Sequence, residues 1–186
     1  GQDCTAATRI YVQRPAYETF LGLVKGFTEE IRIGDPADPS TDMGTLISAT
    51  QVARVQGFVD RAVAGGARLV TGGARPVIAG LEDGAFFQPT VLADVAQDSE
   101  CVQQEIFGPV LTVLPFDTED EAIAKGNDTR YGLAASVWTR DIQVGMRAAK
   151  ALNFGTVWVN DHLPLSSDTP HGGFKQSGFG KDMSSY

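Results

Sequence analysis

Residues 108–160 contain the pattern that decides the fold, GPVLTVLPFDTEDEAIAKGNDTRYGLAASVWTRDIQVGMRAAKALNFGTVWVN. Residues 110–114 are a run of apolar and β-branched side chains, which is typical of a strand. Thr118 and Glu121 then predict a capping box at the start of a helix. The alternation continues with a strand, a helix and a strand at residues 133–139, 141–152 and 155–160. Such alternation predicts an α/β fold with a largely parallel open sheet and helices on both faces.

The residues before this stretch extend the same pattern toward the N-terminus. Residues 9–13 alternate as in a strand, and apolar residues spaced three and four apart predict a helix over 17–31. Ser48 or Thr50 can cap a second helix, which continues to about residue 63. Residues 68–71 then resemble a strand that ends at a Gly-Gly pair. The last part of the chain, from Asp161 onward, is rich in Gly, Ser and Pro and predicts surface loops.

Length and composition exclude several classes of protein. The chain has 186 residues, 42% of them hydrophobic, which predicts one globular domain over residues 1–186. A net charge of −8, with 15 Lys+Arg against 23 Asp+Glu, argues against nucleic-acid binding. No apolar run approaches the roughly 18 residues of a membrane span. Two cysteines, with His162 and His171 far from any cysteine pair, predict no disulfide framework and no metal site, which fits a reducing, cytoplasmic compartment.

Cys4 is the first candidate for chemistry. The chain begins with Gly1-Gln2-Asp3-Cys4 and not with an initiator Met, which predicts that the sequence is a segment of a longer protein. The small residues after Cys4, 5–8, can start a helical turn, whose amides would favour the thiolate and hold an oxyanion. The alternative is that Cys4 packs as a small apolar side chain in the core. Cys101 is interpreted as such a structural residue.

Glu105 and Phe107 form a second candidate site, because Gly108-Pro109 fixes a loop in front of a buried strand. A carboxylate can accept both hydroxyls of a ribose, and an aromatic ring can pack on a flat heterocycle. The alternative is a solvated Glu beside a core Phe. Residues 170–181 form a third candidate, either a pocket wall of basic and aromatic side chains among glycines or an exposed loop.

A papain-like protease is a competing hypothesis from another class, with Cys4 as nucleophile and His162 as base. The residues around that nucleophile are Cys-Gly-Ser-Cys-Trp in papain-like enzymes, whereas here they are Gln-Asp-Cys-Thr-Ala. We therefore reject the protease hypothesis.

Taken together, several short segments resemble the aldehyde dehydrogenase superfamily, in particular its catalytic, C-terminal domain. The resemblance covers essentially the whole chain, in the order of the family. The matching segments are Gly1-Gln2-x-Cys4, Gly34-Asp35-Pro36, Met43-Gly44 with Leu46-Ile47-Ser48, Phe87-x-Pro89-Thr90, Glu105 to Val110, Asn127 with Tyr131-Gly132-Leu133, Gly155 to Asn160, and Gly172-Gly173-x-Lys175-x-Ser177-Gly178.

The resemblance implies oxidation of an aldehyde to a carboxylate in two steps. Cys4 would add to the aldehyde as a thiohemiacetal, a hydride would pass to NAD, and water would cleave the resulting thioester. The resemblance places Glu105 on the nicotinamide ribose and Phe107 against the nicotinamide ring, while NADP remains an alternative cofactor. The Cys4 backbone N–H would supply one oxyanion donor. The wall of the substrate site would be formed by Asp3, Thr5, Asn160, His162 and the Gly172-Gly173 turn.

The resemblance also implies parts that this sequence does not contain. These are an N-terminal nucleotide-binding domain with the general base and the oxyanion Asn, and a C-terminal strand through which the parent enzyme forms a homo-oligomer. The chain alone is then either part of an active enzyme or a folded fragment with at most slow thiol-esterase activity. Gln104 departs from the acid that is more usual before Glu105, and we expect this change to be tolerated.

Within the superfamily, the residues around Cys4 and Asn160 resemble the aminoaldehyde branch, with the γ-aminobutyraldehyde dehydrogenases as the nearest match and the betaine aldehyde dehydrogenases second. The substrate implied is an aminoaldehyde such as 4-aminobutanal. A cationic substrate would favour carboxylates at the mouth of the tunnel, and Asp3, Asp161 and Asp168 are available for that role.

Overall fold

The computed structural model describes residues 1–184, which divide into two compact units. The first unit extends from Gly1 to Pro115 and the second begins at Phe116. The elements of the first unit are β1 (Arg9–Gln13), a 3-10 turn (Arg14–Ala16), α1 (Tyr17–Glu29), α2 (Ala49–Ala64), β2 (Arg68–Thr71), β3 (Thr90–Ala93), α3 (Glu100–Gln103) and β4 (Val110–Phe116), the last of which reaches the boundary.

The strands of the first unit form one sheet in the order β1-β4-β3-β2. Strands β3 and β4 are parallel, with Thr90 opposite Val110, and β2 joins the edge of the sheet antiparallel to β3. The parallel pair β3–β4 therefore lies at the centre of the sheet. The expected α/β class is confirmed.

Side chains alternate between the two faces of this sheet, so each face packs against a different helix. Val91 of β3 belongs to the buried cluster that contains Leu21 of α1. Leu92, the next residue, belongs to the cluster that contains Val55 and Val59 of α2. Because successive residues of a strand point to opposite faces, α1 and α2 cover the two sides of the sheet, as the sequence predicts.

The second unit contains the remaining elements. They are α4 (Glu119–Asn127), β5 (Tyr131–Gly132), β6 (Ala134–Val137), α5 (Ile142–Ala151), β7 (Thr156–Val159) and β8 (Phe174–Lys175). Strands β6 and β7 pair in parallel, with α5 as their connection, and β5 pairs antiparallel with β8. The Asp141 side chain caps α5 by accepting the N–H of Gln143 at 2.8 Å. In residues 1–184, no helix is long and apolar enough to cross a membrane.

The capping box at α4 forms only in part. The Thr118 hydroxyl accepts the N–H of Glu121 at 3.2 Å, as expected. The Glu121 carboxylate instead accepts the N–H of Asp117 at 2.7 Å, one residue before the N-cap. The helix start is therefore where the sequence places it, although the reciprocal bond is shifted by one residue.

Candidate active site

Cys4 lies on an exposed turn and does not begin a helix, so the expected helical turn over residues 5–8 is wrong. The Ala6 N–H donates to the Asp3 carbonyl oxygen at 3.2 Å, which closes a single turn over residues 3–6. The Asp3 Oδ1 atom accepts both the N–H and the hydroxyl of Thr5, at 2.7 and 2.6 Å. Asp and Thr side chains compete with helix formation in this way, because they offer the backbone a local partner. Thr5 is buried and Cys4 is exposed.

The segment that bears Cys4 is held at two points in the first unit. Gln2 Oε1 accepts the N–H of Ile47 at 3.0 Å. Gly1 packs so closely on Gly108 that a Cβ on Gly1 would collide with the Gly108 carbonyl oxygen. This contact brings the start of the Cys4 segment against the end of the loop that carries Glu105 and Phe107.

Four hydrogen bonds from α2 hold that loop. Gln51 Nε2 donates to the carbonyl oxygens of Ile106 at 3.1 Å and Phe107 at 2.8 Å. The Arg54 guanidinium donates to the carbonyl oxygens of Ile106 and Glu105, both at 2.9 Å. Three consecutive carbonyl groups are therefore fixed by two side chains, and Phe107 is kept at a φ of 56°, which is uncommon for a bulky residue.

The loop is anchored inward and presents one carboxylate outward. Ile106 is buried in the α2 cluster, and a Cβ on Gly108 would lie 2.5 Å from Val55 Cγ2. Glu105 is exposed, and within residues 1–184 its carboxylate makes no hydrogen bond or ion pair. Phe107 is half-buried. The loop thus holds an exposed carboxylate and a half-buried aromatic ring on a fixed stretch of backbone.

Sequence reasoning missed Gln51 and Arg54, which lie more than fifty residues before the loop that they hold. Their only signal is position, because they flank Val52 and Val55 on the inward side of an amphipathic helix.

Replacing Arg54 by alanine should loosen residues 105–108 by about 1–2 kcal/mol, since two charge-assisted bonds to the loop are lost. Hydrogen–deuterium exchange of the amides of residues 106–108 should become several-fold faster. The matched control is Arg61→Ala: Arg54 and Arg61 both lie over the Phe58 ring, at 4.9 and 5.2 Å, but Arg61 pairs with Glu100. Equal acceleration by both variants would show that Arg54 acts through α2 as a whole.

Asn160 and His162 lie in the second unit. Asn160 follows β7 at a φ of 55°; its Oδ1 accepts the Thr139 N–H at 2.8 Å and its Nδ2 donates to the Thr139 carbonyl at 2.9 Å. Its amide therefore ties the end of β7 to the residues after β6. His162 contacts Trp158 edge-on, with 5.0 Å between ring centroids. The roles of both residues in a site wall stay predictions.

The third candidate segment is more ordered than a free surface loop. Phe174 and Lys175 form β8, and Lys175 Nζ donates to the carbonyl oxygens of Asn127 and Thr129 at 3.1 and 3.0 Å. Lys181 Nζ donates to the Gly172 carbonyl at 3.1 Å. The lysines therefore hold the local backbone.

The two cysteines differ in accessibility. Cys101 is buried, and burial raises the pKa of its thiol above the ordinary value. A raised pKa leaves less thiolate near neutral pH, so Cys101 is a poor nucleophile. Cys4 is exposed. Among residues 1–184, no cluster of three or more His, Cys, Asp and Glu side chains is arranged to hold a metal ion.

Residues 1–186 of the chain match the aldehyde dehydrogenase family along their full length. The chain belongs to this family. Among curated members of the aldehyde dehydrogenase family, it is 42% identical over 183 residues to betaine aldehyde dehydrogenase of Bacillus subtilis, which covers 98% of this chain and 37% of that protein. It is 45% identical over 185 residues to betaine aldehyde dehydrogenase 1 of Rhizobium meliloti, with 99% and 38% covered.

Solved aldehyde dehydrogenase structures agree with the fold. Betaine aldehyde dehydrogenase from Staphylococcus aureus, crystallised with NAD+, superposes with a TM-score of 0.95 at 41% identity, covering 98% of this chain and 36% of that one. A mutant of an aldehyde dehydrogenase from Bacillus cereus superposes with a TM-score of 0.95 at 40% identity, covering 100% of this chain and 37% of that one. The resemblance to the family and to its betaine and aminoaldehyde branch is confirmed. The chain spans little more than a third of the length of these relatives.

Proposed function

We propose that the chain is the catalytic segment of an NAD-dependent aldehyde dehydrogenase in which Cys4 is the nucleophile. The observation that carries the proposal is the placement of an exposed cysteine on a fixed turn whose segment packs against the Glu105–Phe107 loop. An exposed thiol can reach a carbonyl carbon, whereas the buried Cys101 cannot.

The residues of the loop fit a nicotinamide nucleotide. The exposed Glu105 carboxylate would accept the two hydroxyls of the ribose, and Phe107 would contact the nicotinamide ring. NAD, when bound, accepts the hydride of the oxidation, and NADP is the alternative. The S. aureus relative was crystallised with NAD+, which supports NAD for this chain.

The protein's own groups would account for the covalent steps. The Cys4 sulfur adds to the aldehyde carbon and forms a thiohemiacetal, whose oxyanion the Cys4 N–H can bind. Loss of the hydride leaves a thioester on Cys4, and water cleaves it to release the carboxylate. Within residues 1–184, the Cys4 N–H donates to no other group, so it is available for this role.

We propose an aminoaldehyde such as 4-aminobutanal as the substrate, with betaine aldehyde as the second choice. The relatives named betaine aldehyde dehydrogenase support a cationic aldehyde. Asp161 and Asp168 remain candidates for the cation, although each already accepts a local hydrogen bond, from the His162 N–H and the Ser166 hydroxyl. Measurement of kcat/KM for the three aldehydes tests this proposal: the value should be highest for 4-aminobutanal, lower for betaine aldehyde and lowest for the neutral butanal.

We propose further that the catalytic activity needs a nucleotide-binding domain, supplied by a longer, homo-oligomeric and cytoplasmic parent enzyme. The match covers only 37% of the betaine aldehyde dehydrogenase of Bacillus subtilis, which supports a longer parent enzyme. The isolated chain would then form no NADH from aldehydes, and its activity would be at most a slow thiol-esterase reaction. Robust NADH formation by the 186 residues alone would contradict this.

Alkylation distinguishes the two cysteines in the folded chain. Iodoacetamide at pH 7.5 should modify Cys4 much faster than Cys101, because Cys101 is buried and its thiol pKa is raised. Peptide mass spectrometry over a time course measures both rates. The matched control is the chain in urea, in which the rates should converge. Faster labelling of Cys101 in the folded chain would remove the basis for Cys4 as nucleophile.

A further inference from the structure

Three hydrogen bonds converge on Asp3, the residue before the proposed nucleophile. Its carboxylate Oδ1 accepts the Thr5 N–H at 2.7 Å and the Thr5 hydroxyl at 2.6 Å, and its carbonyl oxygen accepts the Ala6 N–H at 3.2 Å. Cys4 is therefore the second residue of a four-residue turn, residues 3–6, in which Asp3 accepts hydrogen bonds from both Thr5 and Ala6. The two carboxylate bonds have the short lengths of charge-assisted hydrogen bonds.

We infer that Asp3 is a positioning residue for Cys4. This inference rests on the proposed role of Cys4 and deepens it. The Asp3 carboxylate holds Thr5 so that the Thr5 side chain is buried, at 7% exposure, which leaves Cys4 outward at the corner. The backbone of Cys4 is part of the same turn, so the bonds fix the direction of the Cys4 N–H and the point from which its side chain projects.

This role differs from recognition of a cationic substrate. Recognition of a substrate ammonium would use the negative charge of the Asp3 carboxylate, whereas the two Thr5 groups that Oδ1 binds are neutral donors and need only an oxygen acceptor. An amide oxygen can accept the same two donors without carrying a charge. Positioning therefore needs the acceptor, and recognition needs the charge, so Asp3→Asn separates the two.

Another turn of the same kind, at Asp38, serves as a matched control. Asp38 Oδ1 accepts the Ser40 N–H at 2.8 Å, and the Asp38 carbonyl accepts the Thr41 N–H at 3.0 Å. This turn lies in an exposed loop between α1 and α2. Asp38→Ala removes the same type of bond without touching the Cys4 segment.

The first measurement needs neither cofactor nor substrate. In the 186-residue chain, hydrogen exchange of the Thr5 amide should accelerate about ten-fold or more in Asp3→Ala, because this amide loses a charged acceptor. The Ala6 amide keeps its backbone acceptor, so its exchange should accelerate less, as the turn loosens. Asp3→Asn should keep the exchange of both amides within about three-fold of the unsubstituted chain, since Asn forms the same turn. Asp38→Ala should accelerate exchange only at Ser40 and Thr41.

The second measurement uses the enzyme that contains this chain, with NAD. Asp3→Ala should lower kcat by about 10- to 100-fold for 4-aminobutanal and for neutral butanal alike, because a small displacement of the nucleophile is costly. KM for NAD should stay unchanged, and Asp3→Asn should recover kcat for both aldehydes. Asp38→Ala should resemble the unsubstituted enzyme.

The outcomes separate the alternatives. If Asp3→Asn raises KM for 4-aminobutanal but not for butanal, Asp3 recognises the cation and the positioning role is overturned. If Asp3→Ala leaves amide exchange and kcat unchanged, the inference also fails, while Cys4 can still be the nucleophile. If Cys4→Ala retains activity, the proposed function itself fails, which the Asp3 variants alone would not reveal.

Discussion

Replacing Cys4 by alanine is expected to lower aldehyde oxidation by the enzyme that contains this chain by about 10³-fold or more, because the variant lacks the proposed nucleophile. Steady-state NADH formation with saturating aldehyde and NAD measures the loss. The fold should be unaffected, since Cys4 is exposed and makes no hydrogen bond within residues 1–184. The thermal midpoint of the variant should therefore equal that of the unsubstituted protein.

Cys101→Ala is the control for this prediction. Cys101 is buried, at 5% exposure, in the cluster beneath α2, so its replacement should cost stability but not the chemical step. Trapping with a labelled aldehyde and denaturation should leave a covalent adduct in Cys101→Ala and none in Cys4→Ala. Retained turnover in Cys4→Ala would refute the covalent mechanism, whereas lost turnover with an altered thermal midpoint would leave misfolding as the cause.

The position of the Cys4 turn shows where local sequence patterns stop being sufficient. Small residues after Cys4 are compatible with a helix, but the Asp3 side chain captures the Thr5 N–H two residues on. The chain then continues into β1 at Arg9. The competing local hydrogen bond decided the structure, and the spacing Asp-x-Thr is its signal in the sequence.

The second half of the chain was easier to predict because its signals are local. Thr118 caps α4 where expected, α5 lies within the helix predicted over residues 141–152, and the parallel pair β6–β7 lies at the predicted apolar runs. By contrast, β3 was not predicted: its four residues are all buried, so they show no alternation between polar and apolar side chains. With four residues, β3 is also too short to show the longer apolar run by which residues 110–114 were recognised as a strand.

The residues of the candidate site also differ in how readily the sequence identifies them. Cys4 and Glu105 were identified by residue type and by resemblance to the family, and both are exposed. The groups that hold the Glu105 loop were not identified, because Gln51 and Arg54 bind backbone carbonyls that any residue could supply. Sequence can indicate the reactive group more readily than its support.

Phe87 connects the core to this support. Phe87 is 1% exposed and lies in the same buried cluster as Val55, Ile106 and Val110. Ile106 is the residue between Glu105 and Phe107, so the packing of the cluster sets the height of the loop above α2. A cavity in this cluster is therefore expected to loosen the loop at the candidate cofactor site and to lower the stability of the fold.

Phe87→Ala should lower the free energy of unfolding by about 3–5 kcal/mol, the usual cost of deleting a buried aromatic ring. This is a large part of the roughly 5–15 kcal/mol that stabilises a typical domain. Urea unfolding followed by circular dichroism measures the change. Phe27→Ala is the matched control, since Phe27 is 71% exposed on α1 and its loss should cost no more than about 0.5 kcal/mol.

The two phenylalanine variants also separate local from global effects at the site. In Phe87→Ala, hydrogen exchange of the amides of residues 106–108 should accelerate more than that of the α5 amides, because Ile106 loses packing and the second unit does not. Phe27→Ala should change neither set. If exchange rises uniformly along Phe87→Ala, the ring stabilises the whole fold without supporting the loop; if it rises only near β1 and α1, the cluster assignment is wrong. Acceleration confined to the neighbours of Ile106 would show that the hydrophobic core beneath α2 determines how firmly Glu105 is presented.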